Sequence, residues 1–141
     1  MGKITGISLE YYTGELNIVE LYRNFFSKCK IDFFVDEGEF SYLIDYDPFY
    51  YKLKIGENIF NFVLSLIANV ESKPLTFSLI LDETIFMSHT INAIKREEIN
   101  ISISAPKLLD NLNVPDFSFY AERILPFFDY KNIKCLEFSF C

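Results

Sequence analysis

The sequence contains no tryptophan, one histidine and three cysteines among its 141 residues, and it has only five prolines and five glycines. This low proline and glycine content, together with 50% hydrophobic and 23% charged residues, excludes a collagen, a Gly/Ser linker and a disordered tail. Three widely spaced cysteines, an odd number, are typical of free thiols in a reducing compartment rather than of a disulfide framework. We therefore expect a globular protein whose core forms without disulfide bonds.

Long apolar runs are also missing. A membrane-spanning helix needs roughly 20 apolar residues, whereas the stretch over residues 59–68 is already interrupted by Asn61 and Ser65. The first ten residues show an alternating pattern and no apolar block followed by a cleavage site, so no secretory signal is expected. These features predict a soluble, cytoplasmic protein that does not associate with a membrane.

Positive charge is in the minority. Thirteen Lys and Arg residues face twenty Asp and Glu residues, which gives a formal net charge of −7. Nucleic-acid phosphates and anionic lipids would meet net repulsion, so neither is expected as a partner. Two interpretations remain open: the charge attracts a basic protein partner, or it only keeps a hydrophobic domain in solution.

The hydrophobic pattern predicts an α+β fold for a single domain over residues 1–141. Helical periods cover residues 16–29 and 57–70, a short helix is expected over 106–112, and Asp116 is expected to cap another helix that ends near residue 128. Strand periods cover 7–12, 40–46, 49–55, 75–81, 84–91, 98–104 and 133–141, with turns at Asp36-Glu37-Gly38 and Asp47-Pro48. Because strands occur in runs, we expect a mainly antiparallel sheet of about 6–8 strands with 3–4 helices packed against it.

Catalytic residues are hard to find in this sequence. The only histidine, His89, lies in an apolar-rich segment, and no Gly-x-Ser-x-Gly motif or Gly-rich phosphate loop is present. Either His89 is a structural residue that hydrogen-bonds within the sheet, or the fold brings it to Cys29 or Cys135. We expect the structural role, and therefore no enzyme, no catalytic residue and no cofactor.

One pair of aspartates, Asp45 and Asp47, has a spacing at which oxygen ligands could hold Mg²⁺ or Ca²⁺. The alternative is that Asp45 faces solvent from a strand and Asp47 stabilises a turn before Pro48. We favour the alternative and expect no metal site.

The segment over residues 32–47 differs from the rest of the chain. It holds six carboxylates and no Lys or Arg, and aromatic residues lie between them. Aromatic anchors surrounded by negative charge are typical of an interface with a basic protein. We predict that the partner-binding residues are Asp36, Glu37, Glu39, Tyr42, Asp45, Tyr46, Asp47 and Tyr50. The alternative is an ordinary hairpin in which one face is buried, formed by Phe40, Tyr42, Ile44 and Tyr46.

Small size, acidic charge, no catalytic constellation and this aromatic-acidic segment together resemble the immunity proteins of bacterial toxin systems, including those of contact-dependent growth inhibition. The resemblance covers the overall profile of the chain and carries no signature motif. It implies an inhibitor that binds a cognate, basic, nuclease-type toxin domain at 1:1. The alternatives are a phage- or plasmid-encoded inhibitor of a host nuclease, and a small α+β enzyme or ligand-binding domain.

Overall fold

The computed structural model describes residues 4–11, 17–69, 73–92, 97–104, 107–109, 114–128 and 133–140. Three α-helices are present in these residues, and a short 3-10 helix, Leu125–Phe127, follows the third. The helices are α1 (Ile18–Lys28), α2 (Ile59–Ala68) and α3 (Phe117–Ile124). The strands are β1 (Ile4–Tyr11), β2 (Ile31–Phe33), β3 (Val35–Asp36), β4 (Glu39–Ile44), β5 (Asp47–Lys52), β6 (Leu75–Leu81), β7 (Ile85–Asn92), β8 (Glu97–Ser104) and β9 (Ile133–Phe140).

The nine strands form one antiparallel sheet in the order β3-β4-β6-β7-β8-β1-β9, with β2 paired to β6 and β5 paired to β4. The long central ladders are β6 with β7, β7 with β8, and β8 with β1. At one end of the sheet β9 pairs with β1, and at the other end β5 pairs with β4. The protein is therefore an α+β protein with a mainly antiparallel sheet, as the sequence predicted.

The two faces of the sheet differ in polarity. Along β6 buried and half-buried residues alternate, and β7 follows the same pattern except that Phe86 is exposed, so that one face is apolar and carries the core residues. The other face carries small polar side chains, and the hydroxyl pairs Thr76–Thr90 and Ser78–Ser88 each lie 2.9 Å apart. The helices contribute their buried residues to the core cluster on the apolar face. This is the arrangement expected for an antiparallel sheet that is covered on one side.

Polar residues begin all three helices. The Asn17 side chain accepts a hydrogen bond from the Glu20 N–H at 3.3 Å, and the Asn58 side chain accepts one from the Phe60 N–H at 2.8 Å. Asp116 accepts from the Phe119 N–H at 3.2 Å, which confirms the predicted cap. Each cap satisfies a backbone donor that the first helical turn leaves without a partner. None of the described helices is long and apolar enough to cross a lipid bilayer.

Two sequence predictions on the secondary structure are wrong. The turn between β4 and β5 is formed by Asp45 and Tyr46, both with positive φ, and not by Asp47 and Pro48. Pro48 is accommodated inside β5 because it is opposite Leu43 in a pair that exchanges no ladder hydrogen bonds. The helix predicted over 106–112 is absent in the described residues 107–109, where Leu108 instead forms an isolated bridge with Pro115; the remainder of that stretch lies outside the described residues.

The strand count exceeds the predicted range because of β2 and β3. These strands have three and two residues, so they are too short to show a period of two in the sequence. Strand β2 exists because it pairs with β6, which is more than 40 residues away in the chain, and β3 exists because it forms a tight hairpin with β4. This part of the sheet also forms the candidate site.

Candidate partner-binding site

The segment over residues 35–52, which we call the β3–β5 ribbon, extends from the end of the main sheet. The chain pairs with β6 through β2, passes Phe34, and then pairs with β4 through β3. Strand β4 pairs with β6 only through Leu43 and Ile44, and β5 pairs only with β4 in the described residues. Most of the ribbon is therefore attached to the sheet along a short part of one strand.

Exposed rings concentrate at this ribbon. Nine large hydrophobic residues are exposed among the described residues, and six of them lie within residues 34–55. A seventh, Phe86 of β7, stacks on Phe34 with 5.9 Å between the ring centroids. Single exposed apolar residues are normal, whereas a cluster marks a surface that another molecule covers. The seven residues are Phe34, Val35, Tyr46, Phe49, Tyr50, Ile55 and Phe86. They do not form one patch, since Tyr46 is in the β4–β5 turn and Phe49 stacks on Tyr42.

The charge of the ribbon has one sign over most of its length. No Lys or Arg occurs between Lys30 and Lys52, whereas six carboxylates do. Asp36, Glu37 and Glu39 are all exposed, and they surround the turn that joins β3 to β4. The potential at this end of the sheet is therefore negative.

Two adjoining cavities lie beside the ribbon. The outer cavity has a volume of about 360 Å³ and is lined by Phe34, Val35, Asp36, Glu37, Glu39, Ser41 and Tyr50. The inner cavity has a volume of about 280 Å³ and shares Phe34, Ser41 and Tyr50 with the outer one. Its floor includes the hydroxyl residues Thr76, Ser78 and Ser88 of the polar sheet face. We call the two cavities together the ribbon cleft.

The structure brings together four of the predicted site residues. Asp36, Glu37, Glu39 and Tyr50 all line the outer cavity, and the Tyr50 side chain is 67% exposed. Register explains the proximity: Glu39 is opposite Lys52 and Ser41 is opposite Tyr50 in the β4–β5 ladder. Because side chains alternate along a strand, Glu39, Ser41 and Tyr50 share the face that carries the polar residues of the sheet.

The remaining predicted residues lie elsewhere. Asp45, Tyr46 and Asp47 are exposed at the β4–β5 turn, at the opposite end of β4 and about 20 Å from the β3–β4 turn at ~3.3 Å per residue. Tyr42 lines the inner cavity, but its ring is on the helix-facing side, where it stacks on Phe49 with 5.8 Å between the ring centroids. The predicted single acidic-aromatic patch is thus two separate groups, with the Tyr42 ring on the reverse side.

The alternative hairpin interpretation is correct for part of one strand face. Phe40 is buried, and Tyr42 and Ile44 are half-buried against the core. The predicted burial of Tyr46 is wrong, because strand β4 ends at Ile44 and Tyr46 lies in the turn that follows, where it is 66% exposed. The turn is held against the main sheet by a hydrogen bond of 2.8 Å from the Asp45 N–H to the Pro74 carbonyl.

Sequence reasoning did not include Phe86, Ser78 or Ser88 in the site. Alternation within β7 places Phe86 on the face opposite to Ile85 and Met87, which is a local signal that it is not a core residue. Its contact with Phe34, however, depends on the pairing of β2 with β6 and of β6 with β7. A single sequence does not reveal these registers.

The His89 side chain is not accessible to a substrate. It is fully buried below α1, its Nδ1 lies 2.9 Å from the Tyr22 hydroxyl, and its Nε2 lies 2.9 Å from the Met87 sulfur. Burial lowers the pKa of His89 to about 3, so the ring is neutral at pH 7. The predicted structural role is confirmed, although the hydrogen bond to Tyr22 joins the sheet to a helix.

The thiols are in unreactive environments. Cys29 is half-buried at the end of α1, where burial, with the charge of Asp82 second, raises its pKa to about 11. Cys135 is exposed on β9, and its pKa is also raised, by desolvation and by the neighbouring Glu137 and Glu10. Both thiols are free, and Cys141 lies outside the described residues. Because the thiolate is the nucleophile, a raised pKa disfavours covalent chemistry at either position.

The described residues contain no group of three or more His, Cys, Asp or Glu side chains that could hold a metal ion. Comparisons of the chain with protein-family models, with curated proteins and with solved structures each give no match. Any proposal on function therefore depends on the ribbon and its cleft.

Proposed function

We propose that this protein is a stoichiometric inhibitor that binds a basic protein through the β3–β5 ribbon, and that it is an immunity protein for a nuclease-type bacterial toxin. The observation that carries the proposal is the concentration of exposed apolar side chains near carboxylates. Seven of the nine exposed large hydrophobic residues among the described residues lie within residues 34–55 or stack on Phe34, and residues 31–51 hold six carboxylates and no Lys or Arg. The rest of the described surface has no comparable cluster.

Rings and carboxylates have separate roles in such an interface. Tyr50, Phe34 and Phe86 supply apolar area that is removed from water on binding, which is where most of the binding energy of an interface arises. The carboxylates increase the association rate with a basic partner and disfavour acidic ones. A nuclease has a positively charged cleft for phosphates, so a row of carboxylates can occupy the same place as the phosphates.

The histidine and the two described thiols support a binding role over an enzymatic one. The only histidine is buried and neutral, and the two described thiols have raised pKa values. General acid–base or nucleophilic catalysis at pH 7 needs groups that titrate near neutrality and reach a substrate. His89 does neither, and the pKa values of the two thiols are raised away from neutrality, although Cys135 is exposed.

The test begins with the protein immobilised as bait for a lysate of its native host, with captured proteins identified by mass spectrometry. The captured domain is then produced alone, and its nuclease activity is measured against increasing amounts of this protein. We expect one basic protein, and loss of its activity at a 1:1 ratio. The matched control is the Glu37→Lys, Glu39→Lys double variant, which should capture less of the same protein.

Two outcomes contradict the proposal. One is capture of an acidic protein whose binding the double variant does not weaken. The other is a nuclease that remains fully active in the saturated complex. The position of the partner's gene separates the two inhibitor classes: an immunity gene directly follows the gene of its toxin, whereas a host nuclease is encoded elsewhere.

A further inference from the structure

The ribbon cleft originates in a gap in the sheet. On one edge of β6, strand β4 pairs with Leu75 and Thr76, and β2 pairs with Leu79 to Leu81. Neither strand pairs with Phe77 or Ser78, and both of these residues line the inner cavity. Because the backbone of a strand points alternately to its two edges, one of the two residues presents an N–H and a C=O to the gap. The cleft therefore has a hydrogen-bonding floor.

Aromatic rings form walls shared by both cavities. Phe34 and Tyr50 line the inner and the outer cavity, and the stacking of Phe86 on Phe34 holds that ring in place from the other side. The inner cavity, with a volume of about 280 Å³, is slightly smaller than the ~300–1,000 Å³ that is typical of small-molecule sites, whereas the outer cavity, with about 360 Å³, is within that range. The cleft therefore has room for one long side chain.

The charge at the mouth of the cleft selects the kind of side chain. Asp36, Glu37 and Glu39 line the outer cavity, and no Lys or Arg lines either cavity in the described residues. The carboxylates favour a side chain with a cationic end over an acidic or neutral one, and rings that line both cavities offer a surface for its apolar part. Arginine fits better than lysine, because a guanidinium stacks on aromatic rings and donates five N–H groups in a plane, whereas an ammonium is a compact, strongly hydrated charge.

We infer that the ribbon cleft is an anchoring subsite for one arginine side chain of the protein partner. The inference rests on the proposed function, because the inhibited basic protein supplies the arginine. The aliphatic stem lies against Phe34 and Tyr50, and the guanidinium lies where the two cavities meet, so that it donates to Glu39 of the outer cavity and to the Ser41 hydroxyl, since Ser41 lines both cavities. Partner recognition then combines diffuse steering by the acidic ribbon with one specific contact.

The experiment uses the full chain, labelled with ¹⁵N, and two short peptides as probes. The first is acetyl-Gly-Arg-Gly-amide, and the second replaces arginine with citrulline, which has nearly the same shape and no charge. We expect the arginine peptide to bind weakly and to shift the amide signals of Phe34, Ser41 and Tyr50 most. The citrulline peptide should bind roughly tenfold more weakly or not at all, since charge-assisted hydrogen bonds are the stronger ones.

Two variants with the same change in net charge separate the cleft from general electrostatics. Glu39→Gln removes a carboxylate that lines the outer cavity, whereas Asp47→Asn removes one at the far end of the ribbon. We expect Glu39→Gln to weaken the arginine peptide roughly fivefold and Asp47→Asn less than about twofold, because screening limits distant exposed charges. Both positions are exposed, so both variants should fold.

Three results would each overturn the inference: equal effects of the two variants, equal binding of the two peptides, and amide shifts outside the cleft. A third probe, acetyl-Gly-Lys-Gly-amide, tests the choice of arginine: equally tight binding of this peptide would show that the cleft does not select a guanidinium and would also overturn the inference. The inference and the proposed function fail in different ways. Peptide binding without any basic partner contradicts only the function, whereas a basic partner that binds the Glu39→Gln variant at full affinity contradicts only the cleft.

Discussion

Two clusters of aromatic residues in this protein have similar composition and opposite environments. Below α1, the rings of Tyr22, Phe25, Phe77, His89 and Phe128 are at most 1% exposed. At the ribbon, Phe34, Phe86 and Tyr50 are 45%, 43% and 67% exposed. We call the first group the inner cluster; it is covered by a helix on one side and by the sheet on the other. We call the second group the outer cluster, and nothing in the described chain covers it to the same extent.

The polar groups of the two clusters also differ in their exposure to water. The inner cluster holds one hydroxyl and one imidazole, which satisfy each other over 2.9 Å. The outer cluster is bordered by carboxylates, which keep their hydration in the free protein. Burial of rings with paired neutral groups stabilises the fold, and exposure of rings beside charges leaves binding energy available to a partner. The aromatic content of a segment therefore does not show whether its rings stabilise the fold or bind a partner.

The largest effect expected from this contrast is on stability. Phe25→Ala should lower the free energy of unfolding by about 3–5 kcal/mol, because it removes a fully buried ring and leaves a cavity. Tyr50→Ala should lower it by less than about 1 kcal/mol, since that side chain is mostly in water. Urea unfolding followed by circular dichroism measures both. A loss for Tyr50→Ala as large as that for Phe25→Ala would show that the outer cluster is part of the core.

The inner cluster should also make the fold sensitive to acid. The pKa of His89 is lowered by burial from its ordinary value of 6.5 to about 3, so below pH 6.5 the unfolded chain takes up a proton that the folded one does not. Stability therefore falls as pH decreases from 6.5 towards 3, and the loss between pH 7 and pH 5 should be about 2 kcal/mol. Urea unfolding at both pH values measures it.

The control for the acid effect is the protonation state of the His89 ring. Its NMR signals in the folded protein should show the neutral form at pH 5, where a free histidine is protonated. A ring that titrates near pH 6.5 in the folded state, with stability unchanged between pH 7 and 5, would contradict the burial of His89 in a neutral pair with Tyr22.

In the outer cluster the expected effect is on binding. Tyr50→Ala should cost about 2 kcal/mol of binding free energy to the partner, mainly through a faster dissociation rate, because an anchor is lost. Tyr46→Ala is the matched control: the same residue type with 66% exposure, at the other end of β4. Surface plasmon resonance with each variant compares them. Equal losses would mean that the interface extends over both ends of the ribbon.

The smallest expected effect is on the association rate. The Glu37→Lys, Glu39→Lys variant should bind about tenfold more slowly at low salt and should lose much of the salt dependence of association, since rim charges act mainly on encounter. Its free energy of unfolding should fall by no more than about 1 kcal/mol, because both side chains are exposed and the change at Glu39 places a like charge opposite Lys52. Association unchanged at every salt concentration would exclude this end of the ribbon from the interface.

Local patterns were sufficient for most of the fold. The periods of two and of about 3.6 located β1, β4 to β9 and the three helices, because they report on which side chains of one segment face the core. The same sequence showed that carboxylates and rings share residues 32–47, and that one histidine in an apolar segment is a poor candidate for catalysis. That the entire chain folds as one domain stays a prediction.

The arrangement of the site was decided only in the tertiary structure. Whether Asp36, Glu37 and Glu39 lie beside Tyr50 depends on the register between β4 and β5. The turn at Asp45 and Tyr46 sets this register, and the predicted turn at Asp47-Pro48 would have shifted it. The stacking of Phe86 on Phe34 and the gap beside Ser78 depend on which strands pair across β6. The physical reason is that periodicity is a property of a single segment, whereas register is set by contacts between segments far apart in the chain.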